Sequence, residues 1–234
     1  MTGANVLILE QMMYCIPIIA ANTNEALKKM SEAESRADIF EIRLDLMKSF
    51  DIGELIHSPN RPVLMTYRSE QECGKGLAHP GIRTKYLISA SNEGAAYVDV
   101  ELSMPEKYRE MICESKGNSR IVISTHIGDR TPSNQALEGI FTDSVEAGAD
   151  VVKIITWARE WEDNLKVLEL IPRAQKQKVE IVAFCMGPIG RISRIFSYLM
   201  GAHFTFTSLD TGQKSAAGQI PEIEMRRMVE YFQP

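Results

Sequence analysis

The chain has 234 residues, 44% of them hydrophobic and 24% charged, with 15 Gly and 10 Pro, which places it far from disordered, collagen-like or coiled-coil compositions and predicts a substantial buried core. Its 26 Lys and Arg against 31 Asp and Glu leave a net charge of −5, which argues against a dedicated binder of nucleic acid or of anionic membrane. Cys15, Cys73, Cys113 and Cys185 lie too far apart for a C-x-x-C or zinc spacing, and no Lys or Arg precedes Lys28 to make the basic start of a secretory signal; both features predict a reduced, cytoplasmic setting without a membrane span.

Short apolar, β-branched runs bounded by turn residues predict eight strands, at 14–20 (YCIPIIA), 39–45 (IFEIRLD), 62–68 (PVLMTYR), 96–102 (AYVDVEL), 120–126 (RIVISTH), 151–156 (VVKIIT), 179–186 (VEIVAFCM) and 203–208 (HFTFTS). Between them fall helical stretches with their signals in place. Asn24 precedes EALKKMSEAESRA, Pro105 opens a run, Ser133 precedes NQALEGIFTDSVEAG with Gly148 ending it, and Pro221 precedes EIEMRRMVEYF. Strand and helix in alternation imply a parallel sheet. Eight such units, with no G-x-G-x-x-G after the first strand, predict a closed (β/α)8 TIM barrel. No linker divides the chain, so residues 1–234 are expected to form a single barrel domain, with the residues before Tyr14 adding a short strand or plug at its bottom.

In such a barrel the chemistry sits at the C-terminal ends of the strands. Glu41, Arg43 and Asp45 alternate along the second strand and are expected on one face. Arg68 ends the third, with Glu72 four residues on. Asp99 and Glu101 alternate on the fourth, His126 ends the fifth, Lys153 interrupts VVKII on the sixth, and Arg194 opens the helix after the seventh. Any one of these could be solvated or paired structurally. For Lys153 that reading is weaker, because an amine between Val151, Val152, Ile154 and Ile155 must be paired or lose its charge. A neutral amine attacks carbonyls to form a Schiff base. His126, one β/α unit upstream, should stand on the adjacent strand as a general acid/base.

Other candidates carry less. His57, His79 and His203 read as structural. Gly187 and Gly190 precede a helix bearing Arg191 and Arg194, a pattern that suits an anion at a helix N-terminus. Cys185 and Met186 read as pocket walls, and Trp157 and Trp161 either line the pocket or cap the helix packing. No His, Cys and Asp cluster has metal-ligand spacing.

Taken in order, EIRLD (41–45), TYRSEQE (66–72), VDVEL (98–102), STHIGDRTP (124–132), VVKI (151–154), MGPIGRISR (186–194) and SAAGQ (215–219) resemble the type I 3-dehydroquinate dehydratase family, along nearly the whole chain from Tyr14. The resemblance implies a hydro-lyase of the shikimate pathway and aromatic amino-acid biosynthesis, without cofactor or metal, converting 3-dehydroquinate to 3-dehydroshikimate and water. It implies an imine at Lys153, proton transfer by His126, and Glu72 orienting that imidazole. Glu41, Arg43 and Arg68 would hold the ring hydroxyls, Arg194 the substrate carboxylate, and Ser215 with Gln219 would close over it. Two positions depart from the family pattern: Ile127 follows the histidine in place of an acidic or amide residue, and SAAGQ lacks the usual proline before its glycine. The implied partner is the small substrate alone, with no nucleic acid or membrane, and a homodimer is compatible with the reading. A class I aldolase or transaldolase-like barrel would also use a strand lysine but has less need of Arg194, and a catalytically silent barrel would keep the fold without the pocket.

Overall fold

The structure, a computed structural model, describes residues 13–209 and 216–232. The strand or plug expected before Tyr14 lies outside these residues, apart from Met13. Eight strands occupy the predicted places: β1 Met13–Ile18, β2 Ile39–Arg43, β3 Val63–Thr66, β4 Tyr97–Glu101, β5 Arg120–His126, β6 Val151–Trp157, β7 Glu180–Met186 and β8 Phe204–Phe206. Their order in the sheet is β7-β6-β5-β4-β3-β2-β1-β8, and each ladder is parallel. The seam between β7 and β8 is drawn together by the bond from the His203 N–H to the Ile181 carbonyl (2.8 Å) and by His203 Nδ1 with Glu180 Oε2 (2.9 Å). The result is a nearly closed (β/α)8 TIM barrel.

The predicted strands at 14–20, 39–45, 62–68 and 203–208 each run two residues past the observed strand, and in the second and third this moves charged residues. β2 stops at Arg43, and Leu44–Leu46 form a single 3-10 turn that takes Asp45 off the strand face. β3 stops at Thr66, so Arg68 stands just beyond the strand. The first helix, Thr23–Ala33, is capped by Asn22 and not by Asn24: Asn22 Oδ1 accepts from the Glu25 N–H (3.0 Å), and Glu25 reaches back to the Ala21 N–H (2.8 Å), satisfying donors that the first turn leaves open. Ser133 caps Asn134–Glu146 as expected, accepting from the Ala136 N–H, and Gly148 ends that unit at φ +87°, a conformation suited to glycine. Pro105 precedes Glu106–Glu114, and Pro221 precedes Glu222–Phe232.

Because both faces of a parallel barrel are covered, its strands are apolar on both sides. Side chains pointing outward from β1 to β7 pack under the helices, whereas Cys15, Ile39, Leu64, Tyr97, Val122, Val151 and Phe204 meet inside. Two residues along β2 to β6, where the next inward side chain falls, the filling changes. Ile39 is followed by Glu41, Leu64 by Thr66, Tyr97 by Asp99, Val122 by Ser124 and Val151 by Lys153, all of them buried. The barrel is therefore plugged by hydrocarbon below and by charge above, and the charged layer forms the floor of a pocket.

Candidate active site

Lys153 is 3% exposed. Its strand neighbour in register is Ser124 on β5, and across the barrel its Nζ lies 3.0 Å from Asp99 Oδ2 and 3.3 Å from Glu41 Oε1. Phe206 offers its ring face 4.4 Å away, a favourable site for a cation or for an electron-poor imine carbon. Two carboxylates are therefore within reach of the buried amine. Asp99 accepts from Ser124 Oγ (2.6 Å) and lies 2.6 Å from Arg68 Nη2. Burial works against its charge, but Arg68 and Lys153 outweigh burial and hold its pKa near 2.

Arg68, buried just above β3, joins this floor to the proton-transfer pair. Its Nη1 donates to Ser124 Oγ (2.8 Å) and lies 3.4 Å from both Glu72 Oε2 and Glu101 Oε1. Desolvation disfavours the guanidinium, yet Asp99, Glu72 and Glu101 together raise its pKa. Glu101 also pairs with Arg83. Glu72 sits in the 3-10 turn Glu70–Glu72 and accepts from the His126 N–H (3.0 Å) and from Ser103 Oγ, with His126 Nδ1 3.4 Å away. Burial pushes Glu72 up to about 7, against the opposing pull of Arg68. His126 moves the other way: burial first, then Arg68, Lys153 and Arg43, hold its pKa well below the usual histidine range. A neutral imidazole thus faces the pocket, its Nδ1 edge turned to Glu72 and Nε2 without a hydrogen bond among the described residues. Such a base can take a proton.

Arg43 grips Asp45 through two bonds, Nε to Oδ1 (2.8 Å) and Nη2 to Oδ2 (2.7 Å), and Asp45 accepts in addition from the N–H groups of Arg68 (3.3 Å) and Lys75 (3.0 Å). The alternation of three charges therefore resolves into Glu41 and Arg43 at the pocket and Asp45 behind them as a tether. On the opposite wall the helix Arg191–Leu199 begins at Arg191, and Arg194 lies in its first turn. The Arg194 guanidinium stacks 4.2 Å over Phe184, and Nη2 donates to the Ala217 carbonyl (3.2 Å). No carboxylate pairs with it among the described residues, and burial pulls its pKa down to about 9, still charged at neutral pH. Gln219 is buried and lines the same pocket. Ser215 lies outside the described residues.

These side chains surround about 490 Å³ of open space, lined by Glu41, Arg43, Arg68, Glu72, His126, Lys153, Arg194 and Gln219 together with Cys73, Ile155, Phe184, Met186, Phe206 and Ala216. Every predicted site residue within the described chain is on this wall. Asp99 and Glu101, which the sequence marks as charges at alternate strand positions, form the supporting layer together with Ser124 of β5 and Arg83 of the helix Pro80–Asn92, which it does not mark. Phe184 and Phe206 carry no such signal, since aromatic residues in a strand read as core. Cys185 does not line the pocket: its thiol turns outward to Thr156 and Thr131. Trp157 packs over Gly187, while Trp161 is exposed. His57 stands 3.8 Å from Glu93 at the surface, His79 caps Pro80–Asn92 and His203 lies at the seam, and none of the three lines the pocket. No cluster of His, Cys, Asp or Glu suited to a metal ion, and no helix long and apolar enough to cross a membrane, occurs among the described residues.

The family model for type I 3-dehydroquinase matches residues 14–234. A 3-dehydroquinate dehydratase of Methanococcus maripaludis is 32% identical over 222 residues, covering 93% of this chain and 98% of the relative. A bifunctional 3-dehydroquinate dehydratase/shikimate dehydrogenase of Arabidopsis thaliana chloroplasts is 32% identical over 223 residues, a match that covers 93% of this chain and 36% of that longer relative. The type I 3-dehydroquinate dehydratase of Clostridium difficile, solved with covalently modified comenic acid, superposes with a TM-score of 0.82 at 28% identity, over 94% of this chain and 91% of that one.

Proposed function

This chain belongs to the type I 3-dehydroquinase family, and from that premise and the pocket we propose that it dehydrates 3-dehydroquinate to 3-dehydroshikimate by way of an imine at Lys153. The observation that carries the reading is one buried amine and one neutral imidazole on adjacent strands, facing a buried guanidinium that no carboxylate pairs among the described residues. Arg194 receives the substrate carboxylate, which places the ring between Lys153 and His126. Lys153, its proton passed to a pocket base, attacks the C3 ketone, and the carbonyl oxygen leaves as water. The iminium draws electrons from C2, whose proton moves to His126. The C1 hydroxyl then departs, taking that proton as a second water, and hydrolysis of the conjugated imine consumes one water and frees Lys153. The net change is one substrate to one product and one water. Glu72, ionising near 7, supports the imidazolium formed midway.

The reading includes the chain as a single barrel domain over residues 1–234, acting in the cytoplasm in the shikimate pathway, with Glu41, Arg43, Arg68, Ser215 and Gln219 around the ring. Mixing the protein with 3-dehydroquinate should produce the absorbance of a conjugated enone. Borohydride added during turnover should inactivate it, with peptide mapping locating the adduct on Lys153. His126→Ala should still be trapped while turnover falls by roughly 10²–10⁴. A label on another lysine, or none with an active enzyme, removes Lys153 from this role.

A further inference from the structure

We propose that Arg36, outside the pocket, is a positioning residue for the segment that carries Gln219, because its guanidinium holds the two ends of that segment together. Arg36 lies in the turn between the helix Thr23–Ala33 and β2. Its Nη2 donates to the Leu209 carbonyl (2.7 Å) and its Nε to Glu222 Oε2 (2.8 Å). Leu209 follows β8, and Glu222 opens the C-terminal helix. Arg36 is thus bonded to the residue where the chain leaves the barrel and to the residue where it re-enters a helix.

The surrounding bonds belong to the same base. Ser208 donates its N–H to the Ile220 carbonyl (3.1 Å) and accepts at its own carbonyl from the Glu222 N–H (2.8 Å). The other carboxylate oxygen of Glu222 takes Arg226, whose Nη2 returns to the Arg36 carbonyl (3.3 Å). An ion pair in open solvent contributes little, but the Glu222 side chain is only 5% exposed, so removing Arg36 leaves a buried carboxylate with one partner fewer. The far end of the segment rests on the pocket rim: the Ala217 carbonyl accepts from Gly187 N–H (3.3 Å) and from Arg194, and a Cβ on Gly218 would come within 2.5 Å of the Gly187 carbonyl. With Leu209 and Glu222 pinned, the Ala217 carbonyl is held on Arg194 and Gln219 is kept at the pocket wall. With the base released, holding Ala217 and Gln219 in place costs free energy that substrate binding must supply. A side chain far from the chemistry would then set affinity without touching the ligand.

The kinetic part of the test rests on the dehydratase reading; the exchange part does not. Arg36→Ala should raise KM for 3-dehydroquinate about five- to tenfold while kcat stays within about twofold, and amide exchange at Ser208, Gln219 and Glu222 should quicken at least about tenfold in the protein without ligand. Arg36→Lys keeps the charge but lacks the fork that meets two acceptors, so intermediate values of both are expected. Glu222→Gln should act like Arg36→Ala, and the double variant should be little worse than either alone. Unchanged KM and unchanged exchange in a folded Arg36→Ala protein would overturn the clamp. Should that variant not fold, wild-type exchange in Arg36→Lys would do the same. A wild-type protein that does not turn over 3-dehydroquinate would sink the dehydratase reading, and the exchange rates would still decide the clamp.

Discussion

Asp99 has one carboxylate oxygen that serves two cations, Lys153 Nζ at 3.0 Å and Arg68 Nη2 at 2.6 Å. An anion pinned near pKa 2 by those neighbours cannot act as a proton carrier at neutral pH, so its value to the reaction is its fixed charge. It lies against the Lys153 nitrogen and, in the proposed mechanism, serves as counter-ion to the iminium formed there. Glu41, 3.3 Å away, is the only other carboxylate bonded to Lys153 among the described residues. Asp99→Asn keeps the shape and the bond from Ser124 but removes the charge. We expect it to slow both borohydride trapping and kcat by roughly 10²–10³, the range seen when a placed electrostatic partner is lost, with the adduct still on Lys153. Equal trapping rates in variant and wild type would show that Glu41 alone is the counter-ion.

At the scale of elements, the position of Arg194 depends on how the helix Arg191–Leu199 leaves β7. Gly190 has φ −69°, which any residue adopts, so conformational freedom is not the reason for glycine there. Space is: a Cβ would fall 2.4 Å from the Met186 carbonyl and 2.6 Å from that of Cys185. Those oxygens are backbone of the strand end and cannot swing aside, and Ser193 Oγ already bonds the Gly190 carbonyl (2.7 Å) and accepts from the Cys185 N–H (2.9 Å). Gly190→Ala must therefore push the helix outward and carry Arg194 with it. Thermal unfolding should show a loss of about 1–3 kcal/mol, as for overpacked sites, and KM should rise while covalent trapping at saturating substrate stays near wild type. A variant with normal KM would mean that Arg194 is placed by Phe184 and Ala217 independently of the turn.

Across the whole molecule, the sequence discloses the barrel because each unit repeats the same local physics: an apolar run, a turn, a capped helix. It discloses the site because charges interrupt runs that should be uninterrupted, as Lys153 does among Val and Ile. Strand ends are less legible, since Asp45 and Arg68 continue the alternation beyond the last ladder bond, and only the return of Asp45 onto Arg43 ends it. Which charges meet is not local information at all. Lys153 and Asp99 come from strands two places apart, and Arg36 meets Glu222 across 186 residues. The same convergence of buried charge should weigh on stability. Glu72 rises from 4.5 to about 7 on folding, chiefly through burial. A carboxyl whose folded pKa exceeds its unfolded one gives stability that is fully present below pH 4.5 and is lost as the pH climbs through 7. Ionising Glu72 in the folded protein therefore costs roughly 3 kcal/mol by pH 8, at about 1.4 kcal/mol per unit. Glu72→Gln, which cannot ionise, should gain on the wild type between pH 5 and pH 8 in urea unfolding, while its kcat loses the rise expected as Glu72 ionises near 7. Stability curves that stay parallel across that range would show that Glu72 is charged throughout, and the support it gives to the His126 imidazolium would then carry no pH dependence.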